Sequence, residues 1–220
     1  MLTVSALKKK YGIHVTLNHS GKMQGLCSLS TSSLENEICK ARSKVCGSIC
    51  QHCYANSLQE FRSSMHDCFK RNTEILTATI IPDSDLPYLF SETGMFRFEA
   101  FGDLVNEIQV VNYFHIAAAN PHMDCALWTK NPWIIENAIK AYNLVKPSNL
   151  IIIGSSYFVN KPMEDYFKKF DFIDYIFTVY DKKFVKANNI DINCGSRSCA
   201  TCQKCYKGTH TEYNIREMLK

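Results

Sequence analysis

From about residue 95 onward, short runs of β-branched and aromatic residues alternate with longer segments of helical period. No other feature narrows the fold as far, because strand and helix in strict alternation is the pattern of α/β architecture. Strand candidates are Met95 to Phe101, Asp124 to Thr129, Leu150 to Gly154 and Tyr175 to Val179. Helix candidates between them are Leu104 to Ala119, Pro132 to Val145, Pro162 to Phe170 and Lys182 to Ala187. Asn131-Pro132 reads as a helix start, since asparagine can cap free amides and proline suits the first helical position. Pro147 then closes that helix.

Upstream, Gln24 to Ser30 reads as a first strand, followed by a Ser- and Cys-rich loop from Thr31 to Cys53. A long helix runs from about Ala55 to Leu76, with Leu58, Phe61, Met65, Phe69 and Leu76 mostly on one face. Thr79 to Thr93, with Pro82 and Pro87, reads as a loop. The chain has 220 residues, 46% of them hydrophobic, which describes one folded domain with a sizeable core: 1–190 as the α/β body and 191–220 as a Cys-rich tail packed on it. Five βα units of this kind make either an open doubly wound sheet or an incomplete parallel barrel.

Both architectures gather ligand sites at the carboxyl ends of their strands. Gly102-Asp103, Thr129-Lys130, Ser155-Ser156-Tyr157 and Tyr180-Asp181-Lys182 all stand at such ends. Gly102, Asp103, Thr129, Lys130 and Ser155 are therefore the candidate cofactor-binding residues. In particular, a carboxylate at Asp103 and an ammonium at Lys130 would hold the two charged ends of an amino-acid-like ligand.

Eleven cysteines make up 5% of the chain, below the density of disulfide-stapled secreted scaffolds. Met1 to Tyr11 carries Lys8, Lys9 and Lys10 but no apolar stretch of signal-peptide length, so a cytoplasmic location is expected. The longest apolar run, Leu150-Ile151-Ile152-Ile153, is a strand's length and far from a membrane span. In a reducing compartment clustered thiols bind metal or do redox chemistry. Eight of the eleven cysteines are clustered: Cys39, Cys46, Cys50 and Cys53 in the first loop, and Cys194, Cys199, Cys202 and Cys205 in the tail. Thiolates at these spacings suit zinc or iron, and the close run after Cys194 favours iron-sulfur ligation. Cys27, Cys68 and Cys125 stand alone and read as core thiols.

Cys46-Gly47-Ser48-Ile49-Cys50-Gln51-His52-Cys53 resembles the C-x3-C-x2-C motif of radical S-adenosylmethionine enzymes. That resemblance implies an incomplete parallel barrel of the radical S-adenosylmethionine type, with S-adenosylmethionine chelating the open iron of a 4Fe-4S cluster and Gly102-Asp103 near its amino group. A longer similarity covers most of the chain. Gly21-Lys22-Met23, Ser28-Leu29-Ser30, Gly47 to Ala55, Phe96 to Asp103, Leu127 to Lys130 and Cys199 to Cys205 resemble the phage gene-product-88 family of iron-sulfur proteins. Gly102-Asp103-Leu104 and Leu127 to Pro132 are also similar to the phage gene-product-37/68 family. Both resemblances imply a phage or prophage origin and the cytoplasm of an infected or lysogenic host. In the gene-product-88 pattern cysteines recur at the positions of Cys39, Cys50 and Cys53, without one at Cys46.

The sequence expectation is thus a phage-type iron-sulfur protein holding one or two 4Fe-4S clusters, with a radical S-adenosylmethionine-like redox reaction on a small-molecule or macromolecular substrate and an external electron donor. Two rivals stand beside it. One is a non-catalytic module, zinc- or cluster-stabilised, that docks on nucleic acid or a protein partner through Lys8 to Lys10, Lys204, Lys207 and Arg216; the net charge of +4 allows this without demanding it. The other is an electron carrier or redox sensor.

Overall fold

The computed structural model describes residues 1–219. Among them the strands are β1 (Leu2–Thr3), β2 (Thr16–Leu17), β3 (Cys27–Leu29), β4 (Pro87–Tyr88), β5 (Met95–Phe98), β6 (Asp124–Thr129), β7 (Leu150–Ser155), β8 (Tyr175–Tyr180) and β9 (Asn214–Met218). The helices are α1 (Val4–Tyr11), α2 (Glu37–Ser43), α3 (Tyr54–Phe61), α4 (Ser63–Ala78), α5 (Glu107–Ala119), α6 (Pro132–Tyr142), α7 (Glu164–Phe167), α8 (Lys182–Asn188), α9 (Cys199–Cys202) and α10 (Lys204–Lys207).

Seven strands form one sheet in the order β2-β3-β5-β6-β7-β8-β9, while β1 and β4 pair separately. Within the large sheet β2 runs antiparallel to β3 and every other pair is parallel. Each new parallel strand adds to the same edge, so the order never reverses. Crossovers of one hand then keep their helices on one face. A doubly wound sheet needs a reversal and helices on both faces, so that alternative falls. β2 and β9 are the two ends of the order, and the sheet is open.

The register explains the two faces. Phe96 pairs with Cys125, Phe98 with Leu127, and Leu127 with Ile152, so these side chains share one side. They form the main core with Leu76, Tyr113, Phe114, Ile134 and Ile135 from the helices. Met95 and Ala126 point the other way, into a smaller core with Leu26 and Tyr206, against which Trp128, Cys199 and Cys205 pack. The tail therefore covers the inner face of the sheet, and β9 extends the sheet beside β8.

Several elements differ from the sequence expectation. The long helix breaks into α3 and α4 at Arg62, which takes φ −126° and ψ 84° and leaves Phe61 86% exposed. The Ser- and Cys-rich loop contains α2, capped by the Asn36 side chain, and the segment from Thr79 to Thr93 contains β4. Asn131 makes no side-chain cap; its amide instead donates to the Leu104 carbonyl at 2.8 Å, leaving Pro132 to start α6. The tail supplies a seventh sheet strand that its composition does not announce. Among the described residues no helix is long and apolar enough to cross a membrane.

Candidate metal centres

The first centre lies at the carboxyl ends of β3, β5 and β6. Asn36 accepts from the backbone N–H of Ile38 and Cys39, at 2.9 and 3.3 Å, and so starts the turn that carries Cys39. A single 3-10 turn, Ile49–His52, carries Cys50, whose N–H donates to Ser48 Oγ at 3.1 Å. The Ile49 N–H donates to the Tyr157 carbonyl at 2.9 Å and pins this turn against the end of β7. Cys53 is the residue before α3. These elements bring Cys39, Cys50 and Cys53 to one depression enclosing ≈ 380 Å³ including its open mouth.

Asp103, Lys130, Arg42 and Gly102 share its lining. The Asp103 carboxylate accepts from the N–H of Leu104 at 2.8 Å, from Thr129 Oγ1 at 2.6 Å and from the N–H of Lys130 at 3.0 Å. It ties the end of β5 to that of β6, and Thr129 is the other half of that tie. The Arg42 guanidinium lies 4.3 Å from the centre of the Tyr157 ring and donates to the Lys130 carbonyl at 3.2 Å. Burial, then the Asp103 charge, push the Cys39 thiol up; the Lys130 ammonium works against both. Ser155 is buried at the end of β7 and lines neither this cavity nor the second. Cys46 precedes Gly47, whose φ of 76° turns the chain; Cys46 is exposed and also lines neither cavity.

The second centre is in the tail. Ser198 Oγ accepts from the Thr201 N–H at 3.3 Å and caps the single turn that carries Cys199 and Cys202. Gln203 then enters the left-handed region with φ 60°, and the next turn carries Cys205. The Cys194 N–H donates to the Arg216 carbonyl at 3.0 Å, beside β9. All four thiols line one depression enclosing ≈ 330 Å³ including its mouth, together with Lys22, Tyr206 and His210. Lys22 Nζ donates to Cys194 Sγ at 3.2 Å and pairs with Glu217 at 2.7 Å. His210 Nε2 lies 3.2 Å from Cys205 Sγ. Burial and the neighbouring Cys194 and Cys199 push the Cys205 thiol up to about 12.

Sequence reasoning missed Arg42 and Asn56 at the first centre and Lys22 and His210 at the second. The side-chain oxygen of Asn56 is buried without a hydrogen-bond partner. Arg42 and Asn56 each stand three residues after a thiol, on α2 behind Cys39 and in the first turn of α3 behind Cys53, a spacing that could have found them; Lys22 reaches Cys194 from 172 residues away, where no spacing points. His52, beside the first thiol loop, is exposed and outside both cavities. Of the isolated thiols, Cys125 is buried in the core, while Cys27 and Cys68 are only partly covered.

Both donor sets are soft and suit zinc or iron. Among the described residues no three His, Cys, Asp or Glu side chains converge tightly enough to hold a single metal ion. Neither a family model, nor a curated protein, nor a solved structure matches the chain.

Proposed function

We propose that this is an iron-sulfur protein with two centres: a three-thiolate 4Fe-4S cluster on Cys39, Cys50 and Cys53, and a four-thiolate cluster on Cys194, Cys199, Cys202 and Cys205. The observation that carries the reading is the division of the thiols, three lining one cavity and four another. Thiols ringed about a space suit a cluster, whose irons each take their own thiolate, better than a single ion that gathers its ligands at a point. In this reading the open sheet is an incomplete barrel of the radical S-adenosylmethionine type, and the protein has the phage-type character implied by its sequence resemblance.

A cluster with three protein thiolates supplies one open iron and a low-potential electron. What the chain adds there is charge: the Lys130 ammonium and the Arg42 guanidinium line the same cavity, and the Asn56 side-chain oxygen is unpartnered at its wall. These groups suit a ligand with a carboxylate and an amine, as S-adenosylmethionine has. Asp103 is engaged by its neighbours and serves as the strut that sets Lys130 in place. Cys46 stands outside the centre.

Anaerobic reconstitution, with iron and sulfide analysis and electron paramagnetic resonance, tests this. Cys50→Ala is expected to remove one cluster's worth of iron and sulfide, and Cys46→Ala to remove none. Zinc without acid-labile sulfide would sink the cluster reading. Addition of S-adenosylmethionine is expected to perturb the spectrum of the first cluster and yield 5′-deoxyadenosine under reduction; neither change would leave an electron carrier.

A further inference from the structure

Arg97 lies on the inner face of the sheet, in the β5 register opposite Ala126. Its guanidinium carbon sits 3.9 Å from the centre of the Trp128 ring, and Nη1 is 3.4 Å from Met23 Sδ. Among the described residues no carboxylate pairs with it. Arg97 Nε and Tyr206 Oη are both buried and neither completes a hydrogen bond. A cation held against apolar surface without a counter-charge is disfavoured relative to one that is paired.

The Trp128 ring on which Arg97 rests lies 5.9 Å, centre to centre, from the ring of Tyr206, which lines the tail cavity. Trp128, Cys199 and Cys205 pack on the same inner-face cluster as Tyr206, so Arg97 stands behind the wall that carries two of the four thiols. Of the two lysines that line the cavity, Lys22 is paired with Glu217, and Lys204 is exposed to solvent. Arg97 and Lys204 thus both lack a carboxylate partner among the described residues, and of the two only Arg97 is packed against the inner face of the sheet. Four thiolates around either a zinc(II) ion or an oxidised 4Fe-4S core carry a net charge of about two minus, so charge and counter-charge match in sign.

We infer that Arg97 is the counter-cation of the tail centre: a positioning residue that touches no metal, is held flat by Trp128, and stabilises the thiolate-bound state from behind Tyr206. The inference rests on the reading that the tail cavity binds a metal centre. It assigns a function to a half-buried cation without a counter-charge, and it makes the inner face of the sheet part of the site.

The test uses the reconstituted full-length protein, with metal release to a chelator followed by absorbance and metal analysis. Arg97→Gln, which keeps N–H donors but loses the charge, is expected to release the tail metal about tenfold faster or more. Where a cluster is present, its midpoint potential is expected to fall, because a nearby cation favours the more negative reduced form. Arg97→Lys is expected to restore most of the retention, which a purely structural role would not do. Wild-type release and potential in Arg97→Gln would overturn the inference. Should Arg97→Gln not fold, Arg97→Lys decides alone: retention near that of the wild type supports the charge, and release as fast as from Cys199→Ala overturns it. If Cys199→Ala and Cys205→Ala remove no metal at all, the tail-centre reading fails first and the role of Arg97 falls with it.

Discussion

Glu99 follows the last residue of β5 and takes φ 54°, in the left-handed region that side-chain-bearing residues rarely occupy. Its buried carboxylate accepts from Thr31 Oγ1 at 3.0 Å, Gln109 Nε2 at 2.6 Å and the Tyr113 hydroxyl. A Cβ built on Gly102, at the cavity wall, would stand 2.3 Å from Glu99 Oε2 and 2.6 Å from the Thr31 carbonyl oxygen. Only glycine lets the wall of the first centre lie this close to the carboxylate. Burial raises the Glu99 pKa from 4.5 to about 7, although Tyr113 and Thr31 resist it. A folded-state pKa above the unfolded one favours the protonated native form. Its stabilising contribution is complete below pH 4.5 and is lost as the pH climbs towards 7. Denaturant titrations across that window are expected to show a fall on the order of 2–3 kcal/mol from this group. Glu99→Gln is expected to flatten it; an unchanged slope would place the titrating group elsewhere. Sequence alone offered Asp103 as the carboxylate of interest, and the structure makes it a tie between strand ends. An exposed strand-end carboxylate and an engaged one look alike in a string of letters.

Among the elements, α2 shows how a short helix escapes periodicity. Seven residues give too few turns to display an apolar face, and none of them is fully buried. Asn36, a strong N-cap residue, starts it. Its amide also donates to the carbonyls of Asp103 and Leu104, at 3.0 and 3.3 Å, joining α2 to the chain after β5. Asn36→Ala is therefore expected to cost about 1–3 kcal/mol, from the lost cap and the unpaired buried carbonyls. It is also expected to lower the iron bound at the first centre, because Cys39 rides on that first turn; thermal unfolding and iron analysis read the two effects separately. Longer elements were easier: β6 has the bounds that its apolar run suggests, and β7 and β8 each extend one residue further. The break at Arg62 was not visible, because Leu58, Phe61 and Phe69 keep a helical spacing across it. Phe61 follows the pattern yet faces solvent.

Taken as a whole, the molecule has a single large sheet with one face under helices and the other under its own tail. The tail holds the inner face mainly through Tyr206, 3% exposed, against Leu26, Met95 and Ala126. Tyr206→Ala is expected to destabilise the protein by about 3–5 kcal/mol, as large-to-small changes of aromatic core residues do. Limited proteolysis is expected to open the chain first between residues 191 and 213, where the tail leaves β8 and before β9 begins. Cleavage elsewhere, or none, would mean that the stretch before β9 is held as firmly as the rest of the fold.

The α/β class, five of the parallel strands and the two cysteine groups are written in local pattern, since strand and helix periods repeat within a few residues and thiol spacing can be counted. Which thiols share a cavity is not local. Lys22 meets Cys194 across 172 positions of chain, and Arg97 reaches the tail only because β5 and β6 turn one face away from the helices. Packing of the inner face sets those distances. It places Cys46 outside a group that its spacing would include, and draws Lys22 and Arg97 towards thiols that no spacing connects to them.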